Sequence, residues 1–191
     1  MNGPRLTRYT VPLAYQNPDQ LYCVRASYLL QDERTVRVFN TAQEGSVDGP
    51  QQNDGERMPY LKAIIPDPEE TSKLMVGPPF LPEAFYGDYW VYGAGVWSDD
   101  GQPVPSETGE TYDWGIVSGG PPTTAQADGC TAGQPGQFNG AGLWLFSRDP
   151  LLDDARKEAL FAYVQGLGFA TSTLLPTVQE GCSYPAIPPA K

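Results

Sequence analysis

An all-β chain with a single α-helix near its C-terminal end is the fold class this sequence predicts, and three observations lead to it. First, Gly142-Leu-Trp-Leu-Phe-Ser-Arg-Asp-Pro-Leu-Leu-Asp-Asp-Ala-Arg156 reads as a short apolar strand running straight into a capped helix. Trp144 and Phe146 fall on one face of that strand and Leu143, Leu145 and Ser147 on the other, the period of two that a strand imposes. Second, the preceding sequence is a series of short β-prone segments separated by turn residues. Third, 21 Gly and 20 Pro in 191 residues imply many turns and long loops, while 40% hydrophobic residues still allow a core. A chain of this length suggests one domain, expected over residues 1–182, with a Pro-rich tail over 183–191.

The elements follow in order. Leu21-Tyr-Cys-Val-Arg-Ala-Ser-Tyr-Leu-Leu30 and Thr35-Val-Arg-Val-Phe-Asn40 form a predicted hairpin around the polar turn Gln31–Arg34. A long loop is expected from Thr41 to Arg57, punctuated by Asp48-Gly-Pro and Asp54-Gly. Strands are predicted over Pro59 to Ile65 and Lys73 to Val76, then a long connection to Phe85. Tyr86-Gly-Asp-Tyr-Trp-Val-Tyr92, continuing to Trp97, is the best strand of the middle third, and Thr111 to Val117 is the next. Gly119 to Gly140 has almost no bulky apolar residue except Phe138 and reads as a structureless loop, unusual in a compact domain and more often functional than accidental. The helix is expected from Pro150 to Leu167, with Asp149 as N-cap and Pro150 at the first helical position. Its apolar stripe is predicted at Leu152, Ala155, Ala159 and Tyr163, and Thr171 to Val178 is a last extended segment.

Composition excludes several function classes. A net charge of −11, with only 12 basic residues scattered along the chain, is wrong for a nucleic-acid surface. Without histidine there is no Ser-His-Asp or Cys-His centre, and the usual haem ligand is missing. The three cysteines, Cys23, Cys130 and Cys182, form no CxxC pattern, so a thiolate metal site is not expected. No apolar run approaches the length of a membrane span, and no leader is legible after Met1-Asn-Gly-Pro-Arg5.

Four blocks carry a family resemblance. Cys23-Val-Arg-Ala-Ser-Tyr-Leu-Leu30 with Thr35-Val-Arg-Val-Phe-Asn40, then Phe85-Tyr-Gly-Asp-Tyr-Trp-Val91, Tyr112-Asp-Trp-Gly-Ile-Val117 and Leu143-Trp-Leu-Phe-Ser-Arg-Asp-Pro150 are similar to the second and third, sixth, seventh and eighth strands of the lipocalins. In detail the blocks resemble the branch that includes apolipoprotein D and the bacterial outer-membrane lipocalins. It implies an eight-stranded antiparallel up-and-down barrel with the C-terminal α-helix packed outside. The family's Gly-x-Trp on the first strand is absent: Arg8-Tyr-Thr-Val11 stands there, so the first strand, expected near Leu6 to Leu13, is atypical or truncated. The resemblance puts Arg148 at the barrel floor, stacked on Tyr9 or another aromatic in place of the missing tryptophan. It also pairs Cys23 with Cys182 in a disulfide and leaves Cys130 without the N-terminal partner found in relatives.

Alternation within such a barrel gives a candidate ligand-facing set: Ala26 and Tyr28, Val36, Val38 and Asn40, Trp90 and Tyr92, Trp144 and Phe146. That wall is aromatic and mostly uncharged, suited to a flat or elongated apolar molecule. The expected function is therefore binding and transport or storage of a fatty acid or lysolipid, sterol, carotenoid or retinoid, or bilin, with no cofactor required beyond a possible bound lipid or pigment. Three long mouth loops, at 41–57, 77–85 and 119–140, offer an alternative, an interaction subunit meeting a protein or membrane partner. A lipocalin-fold enzyme is the weaker alternative, because Asp88 and Asp113 lie at strand edges and no inward acid is evident. With a disulfide, the expected location is extracellular, periplasmic or luminal.

Overall fold

The computed structural model describes residues 3–11, 13, 17–52, 60–106, 112–134 and 141–184. The Asp54-Gly turn, the start of the seventh strand at Thr111, the stretch around Phe138 and the tail from Pro185 lie outside the described residues. The strands are β1 (Gly3–Thr10), β2 (Tyr22–Leu30), β3 (Thr35–Gln43), β4 (Gln51–Gln52), β5 (Leu61–Ile64), β6 (Lys73–Gly77), β7 (Gly87–Trp97), β8 (Pro103–Pro105), β9 (Trp114–Ser118), β10 (Thr124–Gln126), β11 (Gly129–Thr131), β12 (Leu143–Ser147) and β13 (Leu175–Pro176), with helix α1 (Asp154–Gly166) between the last two.

Eight of these strands form the wall, each antiparallel to its neighbour, in the order β1-β2-β3-β5-β6-β7-β9-β12. The sheet closes because β12 pairs back onto β1, with Thr10 opposite Trp144 and Thr7 opposite Phe146. Closure removes both sheet edges. β4, β8 and β13 are short additions to β3, β7 and β1, and β10–β11 is a separate hairpin. The blocks quoted above fall on the second, third, sixth, seventh and eighth strands of the barrel.

The outer core explains why β9 and β12 are apolar on both faces. Ile116, Leu143 and Leu145 point outward and pack with Leu160 and Val164 of α1 and with Phe169 just beyond it. A strand covered by the lumen on one side and a helix on the other has no solvent face and reads as a continuous apolar run. β3 and β6 lack that cover, and their outer positions accept Arg37 and Lys73. Trp114, whose register the sequence leaves open, is an outward residue: its Nε1–H donates to the carbonyl of Val96 at 2.9 Å, and its ring meets Tyr163 at 5.4 Å. Gly93 makes room for it, since a Cβ there would sit 3.2 Å from the indole.

The helix departs from the expected one in start and face. Asp153, not Asp149, is the N-cap, its carboxylate accepting from the Arg156 N–H at 2.8 Å. Asp149 instead accepts from the Leu151 N–H at 2.9 Å, a local turn that competes with helix formation. The linker 149–152 then brings the chain onto the wall before α1 begins. The buried stripe is Leu160 and Val164, not Leu152, Ala155, Ala159 and Tyr163. Ala155 is exposed. No helix among the described residues is long and apolar enough to cross a membrane.

The segment after α1 is a strap that pairs with β1 through β13 and bonds to the start of β2. The Val178 N–H donates to the Leu21 carbonyl, and the Cys23 N–H donates to that of Val178, each at 2.8 Å. Gln179 donates to the Val24 carbonyl at 2.9 Å, and Tyr184 donates to Gln179. The disulfide between Cys23 and Cys182 joins strap to wall, as the resemblance implies. Cys23 has φ +51°, in the left-handed region, at the bulge between Tyr22 and Arg25. The strap covers Arg25, whose guanidinium lies 5.8 Å from the Tyr184 ring; burial lowers its pKa from the ordinary value, and Tyr184 opposes that shift.

Two stability outcomes follow. Leu160→Ala should cost about 2–5 kcal/mol in urea unfolding, whereas Ala155→Ser should stay within about 0.5 kcal/mol; equal losses would mean that the helix packs by another face. Replacing both Cys23 and Cys182 by Ser should cost about 2–5 kcal/mol, because the bridge closes a loop spanning most of the chain. An unchanged denaturation midpoint for the double variant would show that the strap is held by its hydrogen bonds alone.

Candidate functional site

Cross-strand register decides which side chains line the lumen. Tyr28 stands opposite Val38 and Ala26 opposite Asn40. Val38 stands opposite Leu61 and Val36 opposite Ala63, Ala63 opposite Val76, and Leu74 opposite Tyr89. Val91 pairs with Val117 and Val117 with Trp144. Directly paired residues share a face of a sheet, so these positions form one continuous side of the wall. Ala26, Val117 and Phe146 are buried together there, with Tyr28, Tyr89, Val91 and Trp144 half-buried around them. No side chain on this side of β2 to β12 is charged at the described positions.

Of the candidate residues, Ala26, Tyr28, Trp144 and Phe146 come together in this cluster. Val36 and Val38 share its face through the β2–β3 register, with Val38 buried and Val36 half-buried. Asn40 shares that face too, opposite Ala26, but is exposed.

Trp90 and Tyr92 do not join them. Tyr92 packs edge-on against Phe169 at 4.8 Å on the helix side of the wall, and its phenol pKa is raised by that burial. Trp90 stacks beside it at 6.4 Å, and the ammonium of Lys73 lies 5.0 Å from its ring centroid. The inward residues of β7 are Tyr89 and Val91 instead. Both alternating sets of this strand contain an aromatic residue, so the presence of aromatics alone does not phase it. Asp88 does carry a signal, because it has the parity of Trp90 and Tyr92, and a carboxylate is costly in an apolar lumen. Leu61, Leu74, Val76 and Val117 are further inward residues that the candidate set omits.

Two tyrosines meet across the lumen. Tyr28 on β2 and Tyr89 on β7 are four strands apart whichever way the barrel is traversed, on opposite walls. Their hydroxyls are hydrogen-bonded to each other, with ring centroids 6.5 Å apart. Tyr89 also lies 5.7 Å from the Trp144 ring, so an aromatic layer crosses the barrel.

Arg148 is exposed where β12 leaves the barrel. Its Nε–H donates to the Tyr112 carbonyl, and its guanidinium lies 5.6 Å from the Tyr112 ring. Tyr112 therefore stacks on the cation; Tyr9 packs against Phe161 at 4.9 Å. Asp113 accepts from the Trp97 N–H at 3.4 Å. Among the described residues, no group of three His, Cys, Asp or Glu could hold a metal ion.

The long segment 119–140 contains structure its composition does not announce. The β10–β11 hairpin docks on the end of α1: the Cys130 N–H donates to the Gly168 carbonyl, and the Ala170 N–H donates to that of Cys130, each at 2.9 Å. Gly129 allows the approach, since a Cβ there would meet the Ala170 nitrogen at 2.8 Å. Asp128 locks the contact by accepting from the Thr171 N–H at 3.0 Å, from the Ser172 N–H at 2.9 Å and from both hydroxyls. These bonds, that of the Ser172 hydroxyl first, lower its pKa to about 2.

No family model matches the chain, and no curated protein matches it in sequence. Solved structures do match. Lobster apocrustacyanin A1 superposes with a TM-score of 0.53 at 15% identity, over 94% of this chain and 78% of that one. H1 crustacyanin from the lobster Homarus americanus gives 0.53 at 14% identity, over 95% and 78%. A major cockroach allergen gives 0.51 at 14% identity, over 94% and 85%. This chain has the lipocalin fold. In lipocalin terms, the Tyr28–Tyr89 layer occupies the lumen, and α1 is the helix packed outside the barrel.

The Asp128 lock makes a pH-dependent prediction. A depressed carboxyl pKa stabilises the fold above the unfolded value near 3.9 and loses that contribution as pH falls through about 2. Wild type should therefore exceed Asp128→Asn in stability by about 1 kcal/mol from pH ~5 to ~7, a modest figure because the carboxylate is solvent-exposed. The gap should close as the pH approaches ~2; a gap independent of pH would remove the carboxylate from the account.

Proposed function

We propose that this protein binds a small hydrophobic molecule inside its barrel and transports or stores it. The observation that carries this reading is the apolar inward cluster, in which half-buried Tyr28, Tyr89, Val91 and Trp144 surround buried Ala26, Val117 and Phe146. Contact with such a wall stabilises an apolar ligand by about 25 cal/mol per Å² removed from water. Fatty acids or lysolipids, sterols, carotenoids or retinoids, and bilins are the candidate classes. The sequence blocks support a place near the apolipoprotein D branch, and the disulfide supports an extracellular, periplasmic or luminal location.

A second reading, docking to a protein or membrane partner, is favoured by the connection between β6 and β7. Phe80 is 75% exposed and Phe85 66%, beside exposed Leu81. The loop that presents them is held in place. Lys62 donates to Glu83 at 2.6 Å, and buried Tyr86 packs against Gly77, where a Cβ would sit 2.3 Å from its ring.

Fluorescence titration with N-phenylnaphthylamine tests the first reading. Saturable one-site binding is expected, weakened about 10-fold by Trp144→Ala and unchanged by Trp90→Ala. Absence of saturable binding by folded protein, or sensitivity to Trp90 instead of Trp144, would sink it.

A further inference from the structure

We infer that Gly142 determines the shape selectivity of the lumen, admitting flat, ring-bearing apolar molecules by letting the Trp144 indole lie along its own strand instead of standing across the barrel. This rests on the lumen-binding reading above and sharpens it to a ligand shape. Gly142 immediately precedes β12, two residues before Trp144. The six-membered ring of the indole lies against it: a Cβ there would sit 2.3 Å from Cη2 and 2.8 Å from Cζ2 and Cζ3. Gly142 also has φ +130°, in the region that favours glycine. The indole thus occupies a space that exists only because residue 142 has no side chain. Trp144, Tyr89 and Val91 are half-buried within the lumen cluster, so a molecule entering from solvent can meet them.

The backbone here is held against an added side chain. The Gly142 carbonyl accepts from the Gly119 N–H and from the Ser118 hydroxyl, each at 3.0 Å, and the Leu143 carbonyl accepts from the Val11 N–H at 3.2 Å. Gly142 is thereby clamped to the end of β9, and Leu143 to the chain leaving β1. The indole turns about its side-chain torsions, so it is the part that yields. Its flanks along the wall are filled by Val117 of β9 and Thr10 of β1, which stand directly opposite it. Were residue 142 to carry a side chain as well, the direction left to the ring would be into the lumen. With the ring drawn back onto Gly142, Trp144 and Tyr89 present neighbouring aromatic surfaces, 5.7 Å apart and inclined at 35°. A flat fused-ring system can stack there in the offset manner aromatic pairs prefer. A single hydrocarbon chain is narrow enough to pass the indole in either position.

The test compares radiolabelled phenanthrene with radiolabelled 1-tetradecanol, a fused-ring probe and a single chain of equal carbon number, in equilibrium dialysis with the whole protein. Gly142→Ala should weaken phenanthrene binding about 10-fold and 1-tetradecanol binding less than about threefold. Gly120→Ala is the control for backbone strain, because Gly120 has φ +131° in the same loop and a Cβ there would meet Asp88 instead of the indole. It should leave both affinities within about twofold. In a Trp144→Leu background, adding Gly142→Ala should change phenanthrene binding by less than about twofold, because the ring it displaces is gone. Wild type supplies a readout that needs no substitution: the indole ring current should move the Gly142 Hα resonances upfield of their random-coil position, and saturating phenanthrene should shift them again. Equal losses or equal retention of the two probes in Gly142→Ala, a phenanthrene loss that persists without Trp144, or Gly142 resonances unmoved by phenanthrene would overturn this role while leaving lumen binding intact. Failure of both probes to bind folded wild-type protein would instead remove the lumen-binding reading, and the role of Gly142 with it.

Discussion

Pairing of β12 with β1 is the contact on which the rest of this molecule depends. An eight-stranded sheet left open would expose two rows of backbone donors and acceptors and would have no lumen. Closing it gives every wall strand two neighbours and separates one face, turned inward, from another, turned out. The short run Leu143–Ser147 therefore has three duties. Its backbone completes the barrel, Trp144 and Phe146 face the lumen, and Leu143 and Leu145 form the floor on which α1 packs.

The outside of the barrel is secured in two places by chain from beyond β12. Helix α1 covers β9 and β12 through Leu160 and Val164, and the strap covers β1 and β2 through backbone hydrogen bonds, Gln179 and the disulfide. Between them, the Asp128 lock ties a loop from the other end of β9 to the exit of α1. The segment 119–134 is thus attached to the scaffold, and its abundance of small and polar residues serves close backbone approach. Gly129 shows this directly, since any side chain there would collide with Phe169 or Ala170.

Inside, the wall is apolar but not featureless. One hydrogen-bonded pair of phenols spans it, and an indole stands beside one of them. On the opposite face of β7, Trp90 and Tyr92 have a structural task, stacking together and, through Tyr92, meeting Phe169 behind the helix. Aromatic side chains one residue out of phase on this strand, Tyr89 and the Trp90–Tyr92 pair, serve different sides of the same wall.

How much of this was legible in the amino-acid order depends on the range of the interaction. Local chemistry determined the late strand followed by one helix, the hairpin of β2 and β3, the turns between strands and the inward parity of Ala26, Tyr28, Val38, Trp144 and Phe146. Each of these follows from a period of two, a turn or an apolar run within a few residues. The phase of β7 was not legible in the same way: alternation defines two sets but not which of them meets the lumen, and only the pairing of Leu74 with Tyr89 and of Val91 with Val117 decides it. The helix start likewise passed from Asp149 to Asp153 because the chain must first turn onto the wall. Barrel closure, the docked hairpin and the phenol pair are contacts between segments far apart in the chain. Their partners are chosen by three-dimensional register, which a one-dimensional pattern does not contain.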